Sequence, residues 1–209
     1  MWSTPSPQLR DTPAVVVEPA CGRPLYPAHL VEAWQLADGT PVTIRPIRPQ
    51  DAAMELAFLN GLSLQTRFQR VLSTRKLLPG ELRRLTCVDY RRDMALVATV
   101  MADGAEVQIG VARYVRAADA QSAEFAIVIS DAWQRRGLGE KLMTRLLEVA
   151  AGHGLDSLTG IALSTNVRML ALARKLGFGV RLDPQDATVA QVGRLLEPAP
   201  AGQAAPFDA

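Results

Sequence analysis

The sequence has little cysteine, no long apolar run and no recognisable leader segment. Cys21 and Cys87 lie far apart and form no C-x-x-C pair, so neither a disulfide framework nor a zinc site is indicated. The apolar runs fall short of the roughly 18 residues that span a bilayer, and no charged segment followed by an apolar stretch opens the chain. We therefore expect a cytoplasmic protein that does not enter a membrane.

The sequence also lacks a large excess of charge of one sign. Its formal net charge is +2, which is too small to indicate a polyanionic partner. Basic residues are frequent between positions 67 and 92, but no series of aromatic residues alternates with them to stack on bases. His29 and His153 have no partners at the spacing of metal ligands or a catalytic triad. We expect neither a nucleic-acid partner nor a bound metal.

Composition and the distribution of proline indicate one globular domain between two irregular ends. Hydrophobic residues make up 48% of the 209 residues and charged residues 21%, as in an ordinary globular protein. Prolines without apolar periodicity mark residues 1–32 as a flexible arm, and residues 197–209, rich in alanine and proline, as a flexible tail. The predicted domain covers residues 33–196, a length that suits a single core.

Strand and helix patterns alternate within this domain. Apolar residues recur at helical spacing after Arg136, whereas residues 123–129 alternate between two faces as a strand does. The predicted strands are residues 42–45, 94–101, 107–115, 123–129, 158–163, 180–182 and 189–196. The predicted helices are residues 51–60, short helices from Ser63 and Pro79, residues 136–151, and a helix from Asn166 to about Gly177. This order predicts an α/β fold with a mixed sheet flanked by helices.

The loop at residues 134–139 is the most informative segment, because it joins a predicted strand directly to the long helix. Its glycines let backbone amides approach a ligand closely, and the unpaired amides of a helix start favour a phosphate. Arg135 and Arg136 add positive charge at the same place. From this pattern alone, a tight turn with arginines for solubility fits as well.

Two common phosphate-binding motifs do not fit this loop. A Walker loop requires Gly-Lys followed by Ser or Thr, which is absent. A dinucleotide-binding fingerprint requires a third glycine where Leu142 stands and an acidic residue about twenty positions on, where Ser164 and Thr165 stand.

The loop and the segment after residue 166 resemble the GNAT family of N-acetyltransferases. That family places Gln or Arg-x-x-Gly-x-Gly or Ala between a strand and a helix, as Gln134, Gly137 and Gly139 stand here. Asn166 and the helix that ends near Gly177 are similar to the family's second conserved block. The resemblance implies a GNAT fold with a mixed, mostly antiparallel sheet that is splayed between the fourth and fifth predicted strands.

The resemblance extends over about residues 34–196 and is greatest to the Pat-type protein lysine acetyltransferases. It implies acetyl-CoA as co-substrate. Backbone groups of one strand would bind the pantetheine, the loop amides would bind the diphosphate, and an asparagine would lie beside the pantetheine arm. The coenzyme-binding residues so implied are Val128, Ile129, Gln134, Arg135, Arg136, Gly137, Leu138, Gly139 and Asn166.

Glu124 is the candidate general base. A lysine amine has a pKa of about 10.4 and must lose a proton before it attacks a thioester, so a nearby carboxylate would serve. Glu124 lies on the strand that leads to the loop, on the face opposite Phe125 and Ile127. The pattern fits a solvent-facing glutamate equally well, and the Pat resemblance favours the base. The helix after Asn166 has no tyrosine to protonate the leaving thiolate, so we expect solvent or another group to do so.

The acceptor is left open. The Pat resemblance implies direct transfer within a ternary complex to a lysine of a protein substrate, for example a metabolic enzyme such as an acyl-CoA synthetase. A small amine would use the same machinery, and a non-catalytic module that binds acyl-CoA is the third interpretation. Basic residues in the segment over the family's acceptor cleft would select an acidic protein surface or form a solvated helix face. They are Arg67, Arg70, Arg75, Lys76, Arg83, Arg84, Arg91 and Arg92.

Overall fold

The computed structural model describes residues 24–71, 79–119 and 121–197. Almost all of the predicted tail and most of the predicted arm lie outside these residues, so their flexibility stays a prediction. The end of the arm that is described contacts the domain, since Leu30 is buried and Tyr26 Oη donates a hydrogen bond to Pro46 O at 3.2 Å.

Strands and helices follow one another along the described chain largely as predicted. The strands are β1 (Glu32–Gln35), β2 (Pro41–Pro46), β3 (Asp93–Ala102), β4 (Ala105–Arg116), β5 (Ser122–Ile129), β6 (Ser157–Leu163), β7 (Gly179–Leu182) and β8 (Val189–Leu195). The helices are α1 (Ala52–Gly61), α2 (Leu64–Val71), α3 (Pro79–Thr86), α4 (Leu138–Gly152) and α5 (Val167–Lys175). Short 3-10 turns precede β1 and α1 and follow β5.

The strands form one sheet in the order β1-β2-β3-β4-β5-β6-β8-β7. Neighbouring strands are antiparallel except β5 and β6, which are parallel. The predicted α/β class with a mixed, mostly antiparallel sheet is therefore confirmed.

The sheet is splayed between β5 and β6. The two strands pair only at Ser122↔Ser157, Ala123↔Leu158 and Glu124↔Thr159, although both continue for several residues beyond this point. The predicted splay is confirmed, and its strands carry the numbers five and six because the structure adds β1 at the front of the domain.

Strand β1 is absent from the sequence-based prediction. It pairs with β2 across a turn in which Gly39 takes a φ of +84°, a conformation that favours glycine. Its four residues carry no clear alternation, and Glu32 is held by Lys141 and Arg145 of α4. The strand is thus stabilised by contacts with residues that are distant in the sequence. The pattern of its own four residues carries no information about these contacts.

Helix α4 packs its apolar face against the sheet. Leu138, Leu142 and Leu146 are fully buried, as their spacing predicted. Gly110 of β4 allows this approach, because a Cβ atom there would lie 2.7 Å from Ile129 Cδ1 and 3.2 Å from Leu142 Cδ1. The strand that leads to the loop and the helix that follows it are therefore packed into one unit.

A buried ion group holds the other half of the sheet to α1. The Arg45 guanidinium is 3% exposed and forms paired hydrogen bonds with Asp51, at 2.7 and 2.9 Å, and with Glu106, at 2.9 and 3.0 Å. These three residues belong to β2, the 3-10 turn before α1 and β4.

Cys87 takes part in a disulfide bond. The sequence did not indicate this bond, because widely spaced cysteines carry no local signal of pairing. Cys21 lies outside the described residues. Among the residues that the structure describes, no helix has both the length and the apolarity needed to span a bilayer.

Candidate active site

A cavity of about 700 Å³ lies where β5 and β6 separate. Helix α2, the start of α5 and the loop before α4 all contribute to its lining. Its lining includes these side chains and backbone segments: Thr66, Gln69, residues 124–129, Gln134, Arg135, Gly137, Gly139, Glu140, Ile161, Ala162, Asn166, Arg168, Met169, Ala171 and Leu172.

The pairing of β5 with β4 determines which backbone groups face this cavity. Ser130 N donates to Ile109 O and Ala117 N donates to Ser122 O, each at 2.9 Å, and the register between them is unbroken. Hydrogen-bonded and non-hydrogen-bonded pairs alternate in an antiparallel ladder. The backbone groups of Val128 are therefore directed to β4.

Ile127 and Ile129 occupy the alternate positions, so their backbone groups point away from β4 into the gap beside β6. The predicted pair for a pantetheine arm was Val128 and Ile129. The geometry favours Ile127 and Ile129 instead, because the backbone groups of Val128 form hydrogen bonds with Val111 of β4 and Val128 is buried. The sequence alone does not reveal this, since the choice depends on the register of the hairpin.

The loop at residues 134–139 turns through two residues with positive φ. Arg135 has a φ of +63° and Gly137, the N-cap of α4, a φ of +81°. The N-cap glycine has no side chain to bind the first N–H groups of α4, and Gly139 and Glu140 of this first turn line the cavity. Together with the positive end of the helix dipole, these groups form a site suited to an anion.

The side chain of Gln134 joins three elements around the cavity. Gln134 Nε2 donates to Ile129 O at 3.1 Å and to Thr66 Oγ1 at 3.3 Å, and Gln134 Oε1 accepts from Arg168 Nη1 at 3.1 Å. Thr66 Oγ1 in turn donates to Asp131 Oδ1 at 2.6 Å. This residue was predicted as a source of backbone contacts, and its side chain also holds α2, β5 and α5 together.

Two of the predicted loop residues turn their side chains away from the cavity. Arg136 forms an ion pair with Asp38 at 3.1 Å and lies over the Trp133 ring at 5.0 Å from its centroid. Leu138 is 1% exposed in the core. Each can contribute only its backbone to a ligand in the cavity, whereas Arg135 and the two glycines line it.

Glu124 lines the cavity and belongs to the last residue pair between β5 and β6. Its side chain is exposed, as the pattern predicted for that face of the strand. The other glutamate of the lining, Glu140, is paired with Lys175 at 2.6 Å. Within residues 24–71, 79–119 and 121–197, Glu124 is the one carboxylate in this cavity without an ion pair.

Asn166 is the N-cap of α5, and its Oδ1 accepts a hydrogen bond from Met169 N at 3.2 Å. The predicted start of this helix is confirmed, and the asparagine lines the cavity.

Sequence reasoning missed Thr66, Ile127 and Arg168, which line the cavity. Thr66 and Arg168 carry no local signal, because their role comes from contacts with Gln134 and Asp131 far along the chain.

The structure describes five side chains of the predicted basic cluster, and whether the cluster selects an acidic surface stays a prediction. Arg67 Nη2 caps the end of α1 through bonds to Leu59 O and Asn60 O, at 3.3 and 3.2 Å. Arg83, Arg84, Arg91 and Arg92 are exposed. The side chains of Arg70, Arg75 and Lys76 lie outside the described residues. In the part of the chain that is described, no group of three or more His, Cys, Asp or Glu residues is arranged to hold a metal.

Comparison with known proteins gives consistent results. The family model of the acetyltransferase (GNAT) domain matches residues 42–179. The chain is 37% identical over 161 residues to an acetyltransferase of Pseudomonas aeruginosa, which covers 77% of this chain and 86% of that relative. It is 32% identical over 144 residues to the acetyltransferase Pat of Mycolicibacterium smegmatis, which covers 68% of this chain and 43% of Pat.

Among solved structures, the GNAT domain of S. lividans PAT matches with a TM-score of 0.74 and 26% identity. The match covers 82% of this chain and 99% of that domain. This chain therefore spans nearly all of that GNAT domain but less than half of the M. smegmatis protein.

Proposed function

This chain belongs to the GNAT family of acetyltransferases, as its sequence motifs predicted, and we propose that it transfers an acetyl group from acetyl-CoA to a lysine side chain of a protein. The observation that carries this proposal is the continuity of the anion site with the splayed strand. The loop before α4 opens into the same cavity as the outer edge of β5 and Glu124.

The cavity fits coenzyme A. The N–H groups at the start of α4 would hold the diphosphate, and the backbone groups of Ile127 and Ile129 would pair with the amides of the pantetheine arm as a short strand does. Asn166 and Met169 line the opposite wall. When bound, acetyl-CoA supplies an activated acetyl thioester.

Glu124 would act as the general base. A protonated lysine amine has no free electron pair, so the carboxylate removes a proton, directly or through a water molecule, before the attack. The nitrogen then forms a bond to the acetyl carbonyl carbon, the carbon–sulfur bond breaks, and the coenzyme leaves as thiolate. The enzyme forms no covalent intermediate in this scheme.

The lining favours a single aliphatic amine as acceptor. Phe125, Ile127 and Ile161 provide apolar contacts, and Glu124 is the unpaired carboxylate within the described lining. A polyamine or an aminoglycoside carries several cations, each of which needs a negative partner when it is bound. The similarity to Pat of M. smegmatis and to the GNAT domain of S. lividans PAT supports an acetyltransferase of the Pat type, and the lysine acceptor is the expectation that the Pat resemblance of the sequence implies.

The test is release of coenzyme A thiol in the presence of acetyl-CoA and candidate acceptors, including lysine peptides and small amines. We expect Glu124→Gln to lower kcat by about 10²- to 10⁴-fold with coenzyme affinity retained. The matched control is Glu148→Gln, since Glu148 lies on α4 outside the cavity and pairs with Arg145. Unchanged turnover in Glu124→Gln would remove the base assignment.

The choice of acceptor in this assay distinguishes lysine acetylation from the two alternative functions. Turnover on small amines with none on lysine peptides would support a small-molecule acetyltransferase, and binding without turnover on any acceptor would support a non-catalytic acyl-CoA module. A comparison of acetyl-lysine sites in cells with and without the protein would identify the partner, for which an acyl-CoA synthetase is our first candidate. A cytoplasmic location and the lack of a metal and of a nucleic-acid partner stay predictions.

A further inference from the structure

Arg168 of α5 lines the cavity and contacts the loop that precedes α4. It is the second residue of α5, its side chain is exposed, and its Nη1 donates to Gln134 Oε1 at 3.1 Å. The guanidinium therefore lies beside the loop that precedes α4, although the two residues belong to different elements. No motif in the sequence singled out this arginine.

The partner of Arg168 is unusual for this region. Three other basic side chains near the start of α4 bind carboxylates, and these are the pairs Arg136 with Asp38, Lys175 with Glu140, and Lys141 with Glu32. Arg168 binds a neutral amide and, within the described parts of the chain, no carboxylate. A guanidinium has five N–H donors, so the observed bond leaves most of its capacity unused.

The position of Arg168 is also unfavourable for a purely structural role. It lies in the first turn of α5, where the positive end of the helix dipole repels a cation. An anion in the cavity would remove this repulsion, whereas the neutral Gln134 does not. The location thus favours ligand binding over stabilisation of the helix.

We propose that Arg168 binds the diphosphate of coenzyme A and exchanges its bond to Gln134 for the phosphate when the coenzyme enters. This inference rests on the proposed function. A hydrogen bond from a guanidinium to a phosphate is stronger than one to an amide oxygen, so the exchange is favourable. The diphosphate is then held from two sides, by the α4 loop with Arg135 and by α5 with Arg168.

The experiment is calorimetric titration of the full chain with coenzyme A and with 3′-dephospho-coenzyme A. The variants are Arg168→Gln and, as matched control, Arg174→Gln, since Arg174 is an exposed residue of the same helix outside the cavity lining. We expect Arg168→Gln to weaken binding of both ligands by about tenfold or more, because one charged hydrogen-bond partner is lost. Arg174→Gln should bind as the parent does.

The ligand-free melting temperature provides a second measurement, which a merely structural role would lower. We expect it to be unchanged or raised in Arg168→Gln, because a cation is removed from the start of a helix. Equal affinities of parent and variant would overturn the inference, as would a lowered ligand-free melting temperature.

A loss confined to coenzyme A would overturn the diphosphate assignment by pointing to the 3′-phosphate. If the parent protein binds neither ligand, the proposed function itself fails and this inference fails with it.

Discussion

Glu124 lies at the point where the pairing of β5 with β6 ends. It is the last residue of β5 that pairs with β6, opposite Thr159, and the strand beyond it runs along the cavity. Successive residues of a strand point to opposite faces, so a carboxylate one position earlier or later would face the other way. The placement of the proposed base is therefore tied to the length of the parallel pairing.

His153 makes stability depend on pH at a site far from the cavity. Its ring Nδ1 lies 2.7 Å from Tyr114 Oη, and Tyr114 is fully buried. Burial, with the nearby Arg116, lowers the pKa of His153 below its ordinary value of 6.5. Below pH 6.5 the unfolded chain then binds more protons at this residue than the folded chain does.

We therefore expect the free energy of unfolding contributed by His153 to be fully present above pH 6.5 and to fall as the pH is lowered toward the depressed pKa. Urea denaturation between pH 7 and pH 5 measures this slope, which His153→Gln should reduce. Tyr114→Phe is the control, because it removes the hydroxyl at a cost of about 1 kcal/mol and keeps the buried imidazole. An identical slope in His153→Gln would contradict the assignment.

At the scale of elements, most of the strands and helices could be predicted from local patterns. The helix after Gly137 and the cap at Asn166 were found because apolar spacing and capping chemistry are encoded within a few residues. Strand β1 was missed because it depends on pairing with β2 and on contacts of Glu32 with α4. Ile127 was missed for a related reason, since the direction of its backbone groups follows from register.

Helix α2 is joined to the loop after β5 by Asp131. This carboxylate accepts hydrogen bonds from Ser63 N at 2.9 Å, Ser63 Oγ at 2.8 Å and Thr66 Oγ1 at 2.6 Å. Thr66 also contacts Gln134, so the wall of the cavity and the anion site are connected through these side chains.

We expect Asp131→Asn to weaken these bonds by about 1–2 kcal/mol, because the acceptor loses its charge. Amide hydrogen exchange of α2 should become faster, with little change in the central strands. Asp119→Asn is the matched control, since Asp119 accepts a similar set of bonds from Gln121 and Ser122 in a turn away from the cavity. Equal exchange of α2 in both variants would contradict this role.

At the scale of the whole molecule, the Arg45 ion group links the first half of the sheet to α1. The guanidinium pairs with Asp51 and Glu106 together, so its removal leaves the buried Asp51 carboxylate and the partly exposed Glu106 carboxylate without their counter-charge.

We expect Arg45→Met to lower the free energy of unfolding by about 3–5 kcal/mol, measured by urea denaturation at neutral pH. Arg181→Met, at an exposed position of β7, should change it by less than about 0.5 kcal/mol. A similar small effect at both positions would show that the buried group contributes little to folding.

The separation of β5 from β6 places an unpaired strand edge in the middle of a sheet instead of at its border. An extended segment of another chain can form backbone hydrogen bonds with such an edge. Proteins normally cover the edge or place charged side chains on it, which prevents aggregation. Here the coenzyme arm would cover it. Solutions depleted of coenzyme should therefore form intermolecular aggregates more readily than saturated ones, so the ligand would serve as a solubility factor as well as a reactant.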